Sequence, residues 1–188
     1  AGLLSAVAFM VLLVASLVYE RQSELTDAGA RAELLARVLE DHASRSIDTV
    51  AVSLAVLGET MLAEGGGRDF GQALGQTLAA QPLLRSVAVL DQQGQVLVST
   101  TPGDVGRRID PARLGPLPAA GRDALGPFTQ GRSLAVLERS AVPDAPRGVG
   151  FVPLVRCVEG RGRSLLVVGL VNPDAVANHQ EQTVQGLR

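Results

Sequence analysis

Seven consecutive residues near the end of the chain, Leu165 to Val171 (LLVVGLV), carry no polar side chain. Successive side chains of a strand point to opposite faces. This run is therefore apolar on both faces, and both must be covered by other parts of the chain. A sheet with one face open to water is excluded, so the rest of the sequence must supply two covers.

The first cover is legible before the first proline, Pro82. Residues 20–64 read as one long helix. Asp27 with Arg31, Glu33 with Arg37 and Asp41 with Arg45 are acid-to-base pairs at i, i+4, each supporting a helix by a few tenths of a kcal/mol. Leu25, Ala28, Ala32, Leu35 and Leu39 form a heptad seam that suits pairing with a second copy. Continued strictly, the seam reaches His42, Ser46 and Thr49, and the apolar stripe shifts instead to Ala43 and Ile47. From Val50 to Leu57 (VAVSLAVL) the helix is apolar almost all round, which predicts burial against a sheet. Gly65-Gly66-Gly67 is expected to end it. Phe70 to Ala80 reads as a short amphipathic helix.

The period then changes. Leu83–Leu90 and Gln95–Thr100 read as a β-hairpin around Asp91-Gln92-Gln93-Gly94, because Asp caps such a turn locally and Gly tolerates positive φ. Residues 102–127 hold five prolines and five glycines. They read as a long loop with one helical turn, of the kind that covers a functional site. This loop is the second cover, and a pocket is expected beneath it. Strands are expected at Ser133–Arg139, Val149–Val158 and Ser164–Val171. Asn172-Pro173-Asp174 then starts an exit helix, with Asn172 as its cap.

Ahead of all this, Ala1 to Tyr19 contains no charged residue. That is long enough to cross a bilayer core. A cleaved signal peptide is the rival reading, weakened by a run longer than the usual apolar core and by the lack of a basic flank. The chain is expected to be a piece of a longer product. Net charge is −2 without a basic block, which argues against nucleic-acid binding. Every basic residue is arginine; the absence of lysine excludes Schiff-base chemistry and a phosphate-loop lysine in this segment. Cys157 is the sole cysteine, expected as a small core residue. His42 and His179 lack ligand-spaced partners, so no metal site is expected. No catalytic constellation is visible, and no cofactor is expected.

The stretch LLRSVAVLDQQGQVLVSTTPGDVGRRI (Leu83 to Ile109) resembles the first hairpin and following loop of Cache domains, the PAS-like extracytoplasmic sensors of bacterial receptors. GFVPLVRCVEGRGRSLLVVGLVNPDAV (Gly150 to Val176) resembles their last two strands and exit. The resemblance implies an α+β fold: a long N-terminal transmembrane and signalling helix, then a PAS-like module with a five-stranded antiparallel sheet. Its parts would be a membrane segment at 1–19, a long helix at 20–64, the sensor module at 68–172 and an exit helix at 173–188. The module would be the first of a double-Cache region. It implies a small-molecule ligand between sheet and cover, a homodimer through the long helix, and a place in the bacterial inner membrane with the globular part periplasmic. It further implies a missing cytoplasmic output of kinase, cyclase or chemotaxis type, as in two-component signalling; this segment itself would not be an enzyme. The Tyr- and Trp-rich signature of amino-acid-binding members is missing, since there is no Trp and the one Tyr is Tyr19.

Five residues are candidates for ligand contact. Arg156 lies among Val152, Leu154 and Val158 at period 2, where a guanidinium needs a partner if buried. A solvated strand arginine is the plainer reading. Arg132 and Ser133 open a strand near the cover. Ser99 and Thr101 flank the end of the second strand, where hydroxyls are also ordinary. A ligand-independent, membrane-anchored dimerisation or scaffold domain is the alternative function.

Overall fold

The structure, a computed structural model, describes residues 33–34, 36–63, 68–138 and 148–176. The expected membrane segment, the first part of the heptad seam, the triple glycine and the exit helix beyond residue 176 lie outside the described residues. The chain divides into two compact units, Ala1–Ser44 and Arg45–Arg188. In the first, the described residues are helical, with an exposed Arg37–Glu33 ion pair at 2.6 Å of the expected i, i+4 kind.

In the second unit the elements are helix α1 (Ala36–Ala63, which begins in the first unit) and α2 (Arg68–Ala80), then strands β1 (Leu84–Asp91) and β2 (Val96–Ser99). Short strands β3 (Asp123–Leu125) and β4 (Thr129–Gln130) follow, then the long pair β5 (Gly150–Gly160) and β6 (Arg163–Val171). The sheet order is β2-β1-β6-β5-β3, with β4 also paired to β5, and every pairing is antiparallel. The fold is α+β, as expected.

Turn chemistry sets the register of both hairpins. At β1–β2, Asp91 Oδ1 accepts from Gln95 N at 2.8 Å and Gly94 takes φ +80°. A Cβ at Gly94 would lie 2.0 Å from the Ile109 carbonyl oxygen, so glycine is required there on two counts. At β5–β6 the two-residue turn Arg161-Gly162 has both φ positive, at 52° and 72°, matching the twist of the strands it joins. Arg161 Nη1 donates to the Ala63 carbonyl at 2.8 Å, satisfying one of the orphan carbonyls at the end of α1.

β6 is covered on both faces, as its sequence demands. Leu165, Val167 and Val171 join Val87, Val89, Leu154 and Val158 in one core beneath α1, which contributes Val50, Ala51, Leu54, Leu57 and Met61. Phe70 and Leu74 of α2 complete that side. Leu166, Val168 and Leu170 face the other way, with Ala88, Leu90, Phe151 and Val155. The cover there is Ile109, Leu114, Leu134 and Leu137. α1 has the length and apolar content of a membrane span. Its buried stripe nevertheless lies on the sheet.

Two expectations for the cover are corrected. Ser133–Arg139 does not supply a strand: Leu134–Leu137 is a 3-10 turn. Leu134 and Leu137 are both buried at a spacing of three, which suits three residues per turn and not a strand's period of two. The fifth and sixth strands come instead from the glycine- and proline-rich segment and its end, as β3 and β4. The remainder of 102–127 holds 3-10 turns at Pro102–Asp104 and Pro111–Leu114, each begun by proline at its first position.

α1 approaches the sheet most closely at Gly58. A Cβ there would meet Val158 at 2.6 Å and Val167 at 2.8 Å, both β-branched and buried in the sheet. Gly75 of α2 has nothing within 4 Å of such a Cβ. Gly75→Ala should therefore stabilise the chain by about 0.5–1 kcal/mol through helix propensity. Gly58→Ala should destabilise it by about 1 kcal/mol, since overpacking outweighs the same gain. Urea denaturation of both variants checks the opposite signs.

Candidate functional site

The cover side of the sheet carries a small polar corner. Ser99 of β2 pairs with Ala88 and so shares the cover face. Its Oγ accepts from Thr101 N at 3.0 Å. Thr101 caps the Pro102–Asp104 turn, and its carbonyl accepts from Asp104 N at 3.0 Å. The Asp104 carboxylate, only 1% exposed, accepts from Leu134 N at 3.2 Å and also from the Ser133 hydroxyl and the Ala135 N–H. Ser133 caps the Leu134–Leu137 turn with its backbone alone. The capping carboxylate thus arrives from a turn 30 residues earlier.

Ser99, Thr101 and Ser133, three of the five candidates, are therefore joined through Asp104. Arg132 is next to Ser133 and exposed. Arg156 stands apart. It shares the α1 face with Val152, Leu154 and Val158, and its Nη1 pairs with Asp123 Oδ1 of β3 at 2.8 Å. Its Nε is buried without a hydrogen-bond partner. The plainer reading of Arg156 as a solvated side chain is replaced by an ion pair that pins β3 to β5. Arg156 thus lies on the α1 face of the sheet, whereas Arg132 adjoins Ser133 of the cover-side corner.

Three contributors had been passed over. Asp104 sits in Thr-Pro-Gly-Asp, where cap, proline and acid read only as a surface turn; nothing local says the carboxylate reaches inward. Arg85 bulges from β1, where the register shifts between Leu84 and Ser86. Its guanidinium donates to Gly131 O at 3.3 Å and Asn172 Oδ1 at 3.0 Å. Asn172 stands at the expected cap position, its carbonyl accepting from Ala175 N and Val176 N, and its carboxamide also ties β1 to the exit of β6. Ser86 is 2% exposed, and its Oγ has no hydrogen-bond partner. Its cross-strand partner Leu170 places it on the cover face.

Arg107 pairs with Glu138 at 2.9 Å. Cys157 is a buried core residue as expected, its sulfur 3.6 Å from Ser164 Oγ. Between sheet and cover lie Ile109, Leu114, Leu134, Leu137 and Phe151, each at most 1% exposed. A shallow hollow of about 180 Å³ lies on the opposite side, lined by Ser46, Thr49, Gln81, Pro82 and Leu83.

No protein-family model matches the chain, and no curated protein matches it. Solved structures do match. One is the extracellular domain of a protein assigned as a histidine kinase, rpHK1S-Z16, with TM-score 0.60 and 17% identity over 79% of this chain. Another is an extracellular ligand-binding receptor from Desulfohalobium retbaense, with TM-score 0.56 and 15% identity over 77% of this chain. The chain spans 58% of the first and 25% of the second. At these identities the likeness establishes a shared fold.

Burial raises the pKa of the Asp104 carboxyl from its ordinary value, against the opposing pull of its hydrogen bonds and Arg107. The folded chain therefore holds this proton more tightly than the unfolded chain. The stabilisation from protonation is fully present below the unfolded-state value and is lost as pH rises through the folded one. Asp104→Asn has no such proton. Relative to that variant, the native chain should gain stability between pH 7 and about 4. Paired urea titrations check this; a constant or reversed difference contradicts it.

Proposed function

We propose that this chain is an extracytoplasmic small-molecule sensing module of a bacterial membrane receptor, of the Cache, PAS-like kind. The observation that carries the reading is the sheet order, covered by a helix on one face and by a loop layer on the other, in a fold shared with an extracellular domain and an extracellular ligand-binding receptor. Ala1–Tyr19 would hold the module at the membrane. Ligand would be received on the cover side, beside the corner formed by Ser99, Thr101, Asp104 and Ser133. Sheet and α1 would then shift relative to each other, and the change would reach an output domain outside this chain, of kinase, cyclase or chemotaxis type. A two-state helix packing converts such a small shift into a switch.

α1 also suits pairing with a second copy. Val52 and Val56 are 64% and 58% exposed on its outer side. Beside them Thr49, Ser53 and Thr60 fold their hydroxyls onto carbonyls four residues earlier, which leaves a surface without unmet donors. The buried, apolar lining of the cover side favours a second reading, a ligand-independent dimerisation scaffold.

A thermal-shift screen of the full chain separates the two. On the sensing reading, one small-molecule class raises the melting temperature. A ligand at 100 times its Kd adds about 2.7 kcal/mol, or several degrees. Absence of any stabilising class would favour the scaffold. Val56→Asp should leave folding stability within about 0.5 kcal/mol yet shift the chain to monomer in sedimentation; persistence of the dimer would exclude α1 as the interface.

A further inference from the structure

The Leu134–Leu137 turn is gripped from one layer and rests on another. Leu134 and Leu137 are buried in the cover-side core. The described hydrogen bonds that leave the turn and its cap run to residues 104–113. Leu134 N donates to Asp104, Asp110 N donates to Leu137 O at 3.2 Å, and Arg107 and Arg113 both reach Glu138. That segment in turn hangs from the β1–β2 hairpin, through Val96 N to Arg107 O and Ile109 N to Gly94 O. The turn meets the sheet by side-chain packing. A four-residue 3-10 turn has little stability of its own, so its seat depends on this clamp.

Among its buried residues the cover face of the sheet is apolar with one exception. Ser86 is buried on the cover face, and its hydroxyl has no partner. Native interiors seldom leave a hydroxyl so. Val87, the next residue, exchanges hydrogen bonds with Thr100, and Thr101 then begins the turn that carries Asp104. Ser86 shares the sheet face on which Leu134 and Leu137 are buried. Asp104 is engaged with the turn's amides, Arg107 with Glu138, Arg113 with the Glu138 carbonyl, and Arg85 with Gly131 and Asn172, while Arg132 beside the cap is exposed to solvent.

We propose that the Leu134–Leu137 turn is a detachable plug occupying the place of a neutral, mainly apolar ligand, whose single hydrogen-bonding group meets the Ser86 hydroxyl. The proposal rests on the sensing reading and names the ligand class and the way its site opens. A charged ligand is disfavoured because the floor offers no counter-charge, and an ion moved into such a site loses its hydration uncompensated. Arg107–Glu138 is the exposed part of the clamp and the part most open to weakening.

The test uses 1-heptanol and heptanoate, which share a chain and differ in charge, with amide hydrogen exchange read on the full chain. In the absence of probe, amides 134–138 should exchange at least about tenfold faster than those of β6, since local release needs less free energy than global unfolding. Arg107→Gln should speed exchange at 134–138 a further few-fold and leave β6 unchanged. Saturating 1-heptanol should speed 134–138 and slow β6; heptanoate should do neither. Ser86→Ala, which removes an unpaired hydroxyl and should fold normally, should weaken 1-heptanol binding about fivefold to tenfold, the loss of one hydrogen bond. Exchange of 134–138 at the β6 rate, equal binding of both probes, or an unchanged affinity in Ser86→Ala would overturn the proposal. If 1-heptanol fails while another compound class stabilises the chain, the plug falls and the sensing reading stands. If the plug releases as described but no compound alters signalling by the receptor, the sensing reading falls.

Discussion

Everything in the second unit follows from one constraint: β6 is apolar on both faces and sits at the centre of the sheet. Its two neighbours, β1 and β5, complete the hydrogen-bond ladders on either side, so its backbone is satisfied. Its side chains are not satisfied by the sheet alone. Leu165, Val167 and Val171 require α1, while Leu166, Val168 and Leu170 require the loop layer. Burying a side chain of this size contributes about 1.5–3 kcal/mol, so neither cover can be lost without losing much of a domain's net stability.

The two covers differ in kind. α1 is regular, long and set tightly against the sheet at Gly58, where there is no room for even a methyl group. The loop layer is assembled from short turns, and its order comes from crossed polar contacts: Asp104 to the Leu134 turn, Arg107 and Arg113 to Glu138. Packed helices shift as bodies, whereas layers of short turns open locally. A sheet held between them has one side suited to transmitting a displacement and one side suited to admitting a cause for it.

The sequence made the helix side legible and the cover side only in outline. Val50–Leu57 announced its burial by being apolar all round, and the β1–β2 turn announced itself through Asp91 and Gly94. The two-sided burial of Leu165–Val171 followed from the lack of any polar residue. The strand expected at Ser133–Arg139 failed because SLAVLE fits a period of two or three equally well over so few residues. What decided it was Asp104, 30 positions away, capping the turn. β3 and β4 were hidden because strands of three and two residues, at Asp123–Leu125 and Thr129–Gln130, leave no periodic trace among prolines and glycines. The site was half legible for the same reason. Ser99, Thr101 and Ser133 belong to one corner, but the carboxylate that joins them is placed by tertiary structure, and Arg156 is separated from them by the sheet itself.

The central claim is that the cover side and the helix side of this sheet are mechanically joined through β6. Leu137→Ala tests it most directly, because Leu137 belongs to the cover-side core while Val50–Met61 lie on the other face. The measurement is the amide chemical shifts of α1 in the native chain and in the variant. The account predicts shift changes along Val50–Met61, strongest around Gly58, although the deleted atoms lie across the sheet. Changes confined to the cover and the cover-facing residues of the sheet, with α1 unmoved, would contradict it.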